Sequence, residues 1–254
     1  MPQKSILVVI PHFGADEHLL RSLKSLGVPF LDPALLQERR FALPFAYGEV
    51  CVVNNNVGEN RGFTAASNEG IRYGYKKNFD AYWLLNNDTE VCDLSSAVAA
   101  FSKELAEHPE TGVIGCKMLS MQDPDFIHHG GTIAAMPSGL HKTGAVKYEN
   151  LNRRTLERWV TGASMIIADE CVRETGLLDE QLFNYASDSD YCYRARLAGY
   201  RVVYLPVPIL HAIGQSAAPS VTQRAVLEKD VNYFMNKWMK GGVFTYLDTE
   251  TFAD

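Results

Sequence analysis

Short apolar runs alternate with amphipathic stretches along the first half of the chain. Four runs rich in Val, Ile and Leu have the length and composition of buried strands; they cover residues 5–10, 49–55, 81–85 and 112–116. Three stretches between them repeat apolar residues at helical spacing; they begin near Asp16, Gly62 and Asp93. Because strands alternate with helices, the pattern predicts an α/β fold with a mainly parallel sheet.

The second half of the chain has fewer long periodic runs. Residues 117–158 are rich in glycine and read as loops, and residues 158–168 read as a strand. A short helix from Asp169, a helix over 188–198 and a strand from Arg201 follow, with glycines at 176 and 199 ending the two helices. The chain is expected to form one domain over 1–254. Its parts would be a nucleotide-binding half (1–116), an acceptor and catalytic half (117–220) and a C-terminal helical extension (221–254).

Polar or turn-forming residues stand where three predicted strands end. These are Pro11-His12-Phe13, Asn54-Asn55-Asn56 and Asn86-Asn87-Asp88. Such clusters occur in turns, where Asn and Asp bond their own backbone. In parallel sheets, however, the carboxyl ends of the strands share one edge, and ligands bind there. Three such ends therefore make a shared binding site as well supported as three separate turns, and both interpretations stay open at this point.

Composition and charge narrow the class of protein. A chain of 254 residues that is 46% hydrophobic can bury a full core. Its net charge of −6 argues against general binding to nucleic acid, although Arg61 and the residues near Lys76 could meet a phosphorylated ligand. No apolar run has the length of a membrane span, and residues 5–10 are too short for a signal sequence. The five cysteines form no C-x-x-C pair, so we expect reduced, mostly buried thiols in a cytoplasmic protein.

A nucleoside diphosphate at this edge would need a metal, helix N-termini or basic side chains to offset its charge. Asp88 is a hard oxygen ligand suited to Mg²⁺ or Mn²⁺, and Asn86 could add an amide oxygen or bind ribose. Arg61 and Gly62 open a predicted helix and would bring a cation and free N–H groups to the phosphates. In the alternative interpretation, Asn60 only caps the helix and Arg61 is solvated.

Five segments together resemble family 2 glycosyltransferases, and they occur in the order found in that family. They are N-R-G-F-T-A-A-S-N-E-G-I (60–71), L-L-N-N-D-T-E (84–90), W-V-T-G-A-S-M-I-I (159–167), G-L-L-D-E-Q-L-F-N-Y-A-S-D-S-D-Y-C-Y-R-A-R-L-A-G-Y (176–200) and H-A-I-G-Q-S (211–216). The resemblance is closest to the rhamnosyltransferase-like branch. It implies a GT-A fold, a nucleotide-sugar donor, a divalent cation and inversion at the anomeric carbon.

The resemblance also implies roles for residues of the second half. Asp188 matches the general base that deprotonates the acceptor hydroxyl; capping the following helix is its structural alternative. Asp190 would contact the acceptor or fix the loop, and Arg194 could pair with it at i, i+4. Ser187 departs from the family, which usually has Glu there, and this puts any acceptor contact of that Glu in doubt. Trp159, beside Gly162, could lie under a sugar ring or pack in the core.

Further roles concern the donor and the metal. His211 matches a histidine that reaches the metal diphosphate, although a lone His is more often structural. Asn54 stands where relatives carry an Asp that contacts the base, so its amide would read the nucleobase edge. Asn68 and Asn87 fall within motifs on the donor side, and His128-His129-Gly130-Gly131 reads as a loop beside the sugar or acceptor. The segment 28–48 is longer than usual in the family and reads as a lid, a partner surface or decoration.

The sequence therefore predicts a metal-dependent, inverting glycosyltransferase in the cytoplasm, with peripheral association at the inner face of the membrane as an option. The donor would be dTDP-rhamnose or a UDP-hexose, and the acceptor a glycan or lipid-linked glycan of a bacterial surface. Two alternatives remain. A sugar-phosphate nucleotidyltransferase would be expected to have a Gly-rich loop with basic residues after the first strand, and residues 11–18, PHFGADEH, do not form such a loop. A non-catalytic domain that binds nucleotide sugar is compatible with the Ser187 departure.

Overall fold

The protein was analysed as a computed structural model, which describes residues 4–132, 142–147, 149–212 and 221–239. Within these residues, eleven strands form one sheet: β1 (Ile6–His12), β2 (Arg40–Phe45), β3 (Gly48–Asn54), β4 (Ala81–Leu85), β5 (Thr89–Val91), β6 (Thr111–Ser120), β7 (Phe126–His129), β8 (Gly144–Ala145), β9 (Thr155–Leu156), β10 (Ser164–Ala168) and β11 (Arg201–His211). The helices are α1 (Asp16–Ser25), α2 (Gly62–Gly74), α3 (Leu94–Glu107), α4 (Asp169–Thr175), α5 (Ser187–Leu197) and α6 (Val221–Met239).

The main path of the sheet runs β2-β3-β1-β4-β10-β6-β11-β5. Strands β3, β1 and β4 are parallel neighbours, and so are β6 and β11. Strand β10 joins the two groups by pairing antiparallel with β4 and β6, and β2 and β5 are antiparallel strands at the two edges. Five of the eight strands on this path therefore share one direction, which confirms the predicted α/β class with a mainly parallel sheet.

The core lies on both faces of this sheet because successive side chains of a strand point to opposite sides. Along β1, Leu7 and Val9 face α2, α4, α5 and α6, whereas Ile6, Val8 and Ile10 face α1 and α3. All five side chains are fully buried. Each contributes about 1.5–3 kcal/mol by burial, so the two layers hold β1 rigidly and fix the positions of the residues at its end.

The segment 28–48 is partly sheet, which the sequence did not predict. After a 3-10 turn over Pro33–Gln37, β2 pairs antiparallel with β3 through the full register from Arg40↔Val53 to Phe45↔Gly48. A proline within a run is tolerated at a sheet edge, which is where Pro44 lies. The segment therefore covers the edge of the parallel group, and the lid interpretation does not describe it.

Other differences from the predictions are local. The strand expected over 158–168 begins only at Ser164, and β11 continues past the expected segment to His211. The sequence pattern also suggests Asp16 as the N-cap of the first helix, whereas the N-cap is Ala15 and Asp16 is the first residue of α1. The cysteines are free as expected, and four of the five are buried. Across the described ranges, no helix has both the length and the apolar character that a membrane crossing requires.

Candidate active site

The three polar strand ends meet on one edge of the sheet, as predicted. They border a cavity of about 170 Å³, whose lining residues are Pro11, Phe13, Asn55, Asn60, Gly62, Phe63, Asn86, Asn87, Asp88, Phe183 and Asn184. Phe13 is 59% exposed, so its ring is accessible to a planar ligand group. The described residues of the lining comprise one carboxylate, several amides and no Lys or Arg. A metal ion is one source of the charge compensation that a diphosphate bound there would need.

His12 lies beneath this edge, where its side chain is fully buried. Nε2 is 2.9 Å from Asp16 Oδ1, and Nδ1 is 2.9 Å from the side-chain nitrogen of Asn87. Burial lowers the pKa of His12, although Asp16 opposes this, so the neutral ring is favoured. Its Nε2–H then donates to Asp16, and Nδ1 accepts from Asn87, which also donates to Phe13 O. His12 thus positions Asn87 beside Asp88 and does not itself line the cavity.

Asp88 and His211 lie far apart in the sequence, and they are brought together because β5 pairs with β11. Asp88 Oδ1 is buried, has no hydrogen-bond partner among the described residues and lies 3.3 Å from His211 Nε2. The other ring nitrogen of His211, Nδ1, lies 3.3 Å from His128 Nε2. A buried, unpaired carboxylate oxygen beside an imidazole fits a divalent cation. The described residues hold no group of three or more His, Cys, Asp or Glu suited to a metal, so Asp88 and His211 are the two candidate ligands among them.

Asp188 lies in the first turn of α5, behind a residue in an uncommon conformation. Ala186, the N-cap, has φ 61°, in the left-handed region that non-glycine residues seldom adopt. The carboxylate of Asp188 accepts from Gly162 N and Ser189 N, both at 2.8 Å. Burial raises the pKa of Asp188, and these backbone N–H groups oppose the shift without reversing it. The result is a fixed carboxylate with a raised proton affinity, which suits a general base.

Asp188 is linked to the cavity through residues 162 and 163. Gly162 donates to Asp188, and Ala163 O accepts from Asn86 N at 3.0 Å. A Cβ on Gly162 would lie 3.0 Å from the ring of Phe63, which lines the cavity. The predicted base and the predicted metal residues therefore lie on the same edge of the sheet, on either side of one short segment.

The start of α2 differs from the prediction. Arg61 is the N-cap, and its guanidinium turns along the helix to pair with Glu69 instead of lining the cavity. Gly62 lines the cavity, but its N–H already donates to Asn60 Oδ1 at 2.9 Å. Gly62 has φ +78°, and a Cβ there would meet Phe183 O at 2.3 Å, so this position requires glycine. Gly62 therefore lies at the predicted edge of the sheet, whereas the guanidinium of Arg61 forms an ion pair with Glu69.

Two asparagines predicted to bind nucleotide are buried, and their side chains form hydrogen bonds within the protein. The Asn54 side chain donates to Leu36 O at 2.9 Å and accepts from Asn56 N at 3.0 Å. The Asn68 side chain exchanges two hydrogen bonds of 2.9 Å with the backbone of Leu178. Both amides therefore fix loops of the protein, and because both side chains are almost fully buried, a ligand has no access to them.

Trp159, Asp190 and Arg194 also lie in the interior instead of on the acceptor side. Trp159 is 3% exposed and packs against the ring of His129. Asp190 is fully buried and accepts from Arg194 Nε at 2.9 Å, which confirms the i, i+4 pair. Arg194 also donates to two backbone carbonyls before α5. Asp190 and Arg194 therefore stabilise α5, the helix that carries Asp188.

Helix α6 makes contacts that no local sequence pattern indicates. Asp230 is fully buried and accepts from the N–H groups of Phe183, Asn184 and Tyr185 at 2.8–3.1 Å. Lys237 Nζ lies 2.7 Å from Asp190. These pairs span more than 40 residues of sequence, so no short motif could reveal them. They fix the loop that lines the cavity and leads to Asp188.

A larger cleft of about 350 Å³ lies at the opposite edge, near the start of β1 and β4. Four of its five charged side chains are paired with one another: Lys4 with Asp80 at 3.0 Å and Arg173 with Asp169 at 2.6 Å. It holds none of the predicted residues. Chemistry and topology therefore favour the smaller cavity as the functional site.

The chain is similar in sequence to proteins of one family. The sequence profile described as "Glycosyltransferase like family 2" matches residues 42–232. An uncharacterized protein, y4gI, of Sinorhizobium fredii is 30% identical over 171 residues, which cover 61% of this chain. The chain spans only 18% of the length of that relative.

Solved structures share the fold at low sequence identity. GalNAc-T7, crystallised with UDP, GalNAc and Mn²⁺, has a TM-score of 0.60 at 16% identity, over 97% of this chain and 54% of that chain. The mannosyltransferase PcManGT of Pyrobaculum calidifontis, in complex with GDP-Man and Mn²⁺, has a TM-score of 0.59 at 15% identity, over 95% of this chain and 66% of that chain. TarS 1–349 of S. aureus has a TM-score of 0.51 at 11% identity, over 94% of this chain and 74% of that chain. These likenesses confirm the GT-A fold.

Proposed function

Because the chain belongs to the glycosyltransferase-like family 2, we propose that it transfers a sugar from a nucleotide-sugar donor to an acceptor hydroxyl. The observation that carries this proposal is the placement of two functions on one edge of the sheet. Asp188 is a half-buried carboxylate with a raised pKa, and the Asp88–His211 pair lies across the 162–163 segment from it. Inverting transfer needs one base on the acceptor side and charge compensation on the diphosphate side.

In the proposed reaction, Asp188 accepts the proton of the acceptor hydroxyl as the new bond to the anomeric carbon forms. The bond to the diphosphate breaks from the opposite face of the sugar, so the configuration inverts. The backbone N–H groups of Gly162 and Ser189 hold the carboxylate in one orientation, which limits the entropy lost at the transition state. Asp88 and His211 are the residues that would hold a Mg²⁺ or Mn²⁺ ion, which when bound neutralises charge on the diphosphate.

The finer assignments are proposals of the same kind. Resemblance to the rhamnosyltransferase-like branch supports dTDP-rhamnose, and a UDP-hexose is the second candidate. We place the reaction in the cytoplasm, with a glycan or lipid-linked glycan of a bacterial surface as acceptor, reached by peripheral contact with the membrane. A nucleotidyltransferase is the less favoured alternative, because the described residues that line the cavity include no Lys or Arg. A non-catalytic sugar-nucleotide binding domain does not need a carboxylate held in one orientation at position 188.

The direct test is release of nucleoside diphosphate from a panel of dTDP-, UDP- and GDP-sugars, with Mg²⁺, Mn²⁺ or chelator, with and without glycan acceptors. Metal-dependent release that requires an acceptor supports transfer. Pyrophosphate formation from a sugar phosphate and a nucleoside triphosphate would identify a nucleotidyltransferase. Nucleotide-sugar binding without release in any combination would support the non-catalytic alternative.

Asp88→Asn tests the proposed metal residue. We expect the affinity for a nucleoside diphosphate in the presence of Mn²⁺ to fall at least about tenfold, the loss typical even of residues that only support a metal ligand. The reason is that a neutral amide oxygen replaces an anionic ligand. Calorimetric titration with and without Mn²⁺ measures this, and Glu90→Gln, with the same charge change two residues away, is the control. Equal Mn²⁺-dependent affinity in Asp88→Asn would remove Asp88 from the site.

The raised pKa of Asp188 predicts the pH dependence of transfer. A base must be deprotonated to act, so activity is lost as the pH falls through its pKa. Because burial raises the pKa of Asp188, the acid limb of kcat/KM should lie at higher pH than an exposed aspartate would give. The profile is measured at saturating metal, and the residual activity of Asp188→Asn should lack this limb. A limb that persists unchanged in the variant would assign it to another group.

A further inference from the structure

The guanidinium of Arg39 lies under the loop that follows β3. We call residues 54–60 the donor loop, because this loop supplies Asn55 and Asn60 to the cavity lining. Arg39 Nη1 donates to three backbone carbonyls of the donor loop, those of Asn54 at 3.2 Å, Val57 at 3.0 Å and Glu59 at 3.0 Å. Its Nη2 donates to Asn55 Oδ1 at 3.0 Å. One half-buried side chain thus contacts the donor loop from its first to its sixth residue.

The backbone beside Arg39 reinforces this contact. Asn54 N donates to Arg39 O at 2.8 Å, and the Asn54 side chain donates to Leu36 O at 2.9 Å. The stretch from Leu36 to Arg39 runs from within the 3-10 turn to the residue before β2, in the segment 28–48. The part of this segment that leads into the edge strand therefore presents both backbone and side-chain groups to the donor loop.

The contact continues from the donor loop to the start of α2. Asn55, which accepts from Arg39, donates to Gly62 O at 3.1 Å and accepts from Arg61 N at 3.4 Å. Asn55 is 3% exposed, and Gly62 lines the cavity with it. Displacement of Arg39 would therefore alter the cavity wall, although Arg39 itself is not one of the lining residues.

We propose that Arg39 is a positioning residue that holds the donor loop in the conformation that binds the nucleotide part of the donor. This inference rests on the proposed function, and it gives the segment 28–48 a role in donor binding. A planar guanidinium with five N–H donors can serve several carbonyls at once, whereas an ammonium is a compact charge. Without Arg39, the donor loop would sample other conformations, and donor affinity would fall by the fraction of time spent in the competent one.

The test compares Arg39→Lys with Arg40→Lys. Arg40 is the matched control because its side chain points to Glu69 and the Tyr73 ring, outside the donor loop. Both variants keep the net charge. We expect hydrogen exchange at the amides of residues 54–62 to rise in Arg39→Lys alone, with no nucleotide present. We also expect its Kd for UDP, GDP or dTDP with Mn²⁺, whichever the wild type binds, to rise about tenfold. In transfer assays, KM for the donor should rise while kcat and KM for the acceptor stay within about twofold of wild type.

The possible outcomes separate the inference from the proposed function. Faster exchange in Arg39→Lys with unchanged nucleotide affinity would overturn the positioning role and leave the proposed function intact. Unchanged hydrogen exchange at residues 54–62 in Arg39→Lys would also overturn the positioning role, because it would show that Arg39 does not hold the donor loop. A wild type that binds no nucleoside diphosphate would refute the proposed function and, with it, the role in donor binding, while exchange would still report the contact. Recovery of affinity in Arg39→Ala by added guanidinium, compared with equal NaCl, keeps the test valid if Arg39→Lys misfolds.

Discussion

Asp188→Asn should lower the rate of sugar transfer by about 10²-fold or more, because a general base usually contributes about 10²–10⁴-fold to the rate. Asparagine keeps the size of the side chain but cannot accept the proton of the acceptor hydroxyl. The donor and metal residues lie across the 162–163 segment and should keep their affinity. The rate is measured as acceptor-dependent release of nucleoside diphosphate, and donor binding is measured separately by calorimetry.

The fold should survive this change at a small cost. Both carboxylate oxygens of Asp188 accept backbone N–H groups, and an amide can replace only one of them, so we expect a loss of about 1–2 kcal/mol in unfolding free energy. Ser187→Ala is the matched control, because its hydroxyl has no hydrogen-bond partner among the described residues. That variant should transfer within about threefold of wild type. If Asp188→Asn keeps more than a tenth of the wild-type rate, Asp188 is not the base.

Asp190→Asn should have the opposite profile, with a large loss of stability and intact chemistry in the molecules that fold. Asp190 is fully buried between Arg194, Lys237 and the Trp238 indole, with contacts of 2.7–2.9 Å. Burial alone would lower the pKa of Lys237, but hydrogen bonds to Asp179 and Asp190 raise it, so the cation depends on these carboxylates. Removing one partner of a buried ion pair costs about 3–5 kcal/mol.

Thermal and denaturant unfolding measure this cost. A loss of about 3 kcal/mol lowers the Tm of a domain this large by roughly 6–12 °C. Glu228→Gln on α6 is the control, since it removes one negative charge from an exposed position on the same helix. Transfer per folded molecule should remain within a few-fold of wild type. Normal stability together with lost transfer would instead make Asp190 a catalytic residue.

The sequence predicted those parts of the site that depend on strand order. The apolar run at 81–85 and the amides after it establish that Asn86, Asn87 and Asp88 leave a buried strand at its carboxyl end. Parallel packing then places them beside Pro11 and Phe13. Asp88 and His211 meet through the pairing of β5 with β11, which the sequence did not predict; only the resemblance related the two residues.

The remaining errors come from side chains that reach distant partners. Arg61 could equally face a phosphate or a carboxylate, and Glu69 in the same helix provides the carboxylate. Asn54 was expected to read a nucleobase, but Leu36 and Asn56 occupy its amide. Asp190 carries a family motif position, yet its partner Lys237 lies 47 residues later, where no motif marks it. Local pattern determines which residues end a strand, whereas tertiary packing determines which polar groups are left for a ligand.

The family's similarity to this chain ends at residue 232, whereas the buried contacts of α6 continue to Trp238. A domain boundary drawn from sequence similarity alone would therefore keep Asp230, which binds the loop at 183–185, and discard Lys237 and Trp238, which bind Asp190. The truncated unit would retain every motif of the family and lose one of the two cations that pair with the fully buried Asp190. For a module joined to other domains, the smallest transplantable unit is set by that ion pair and not by the motifs.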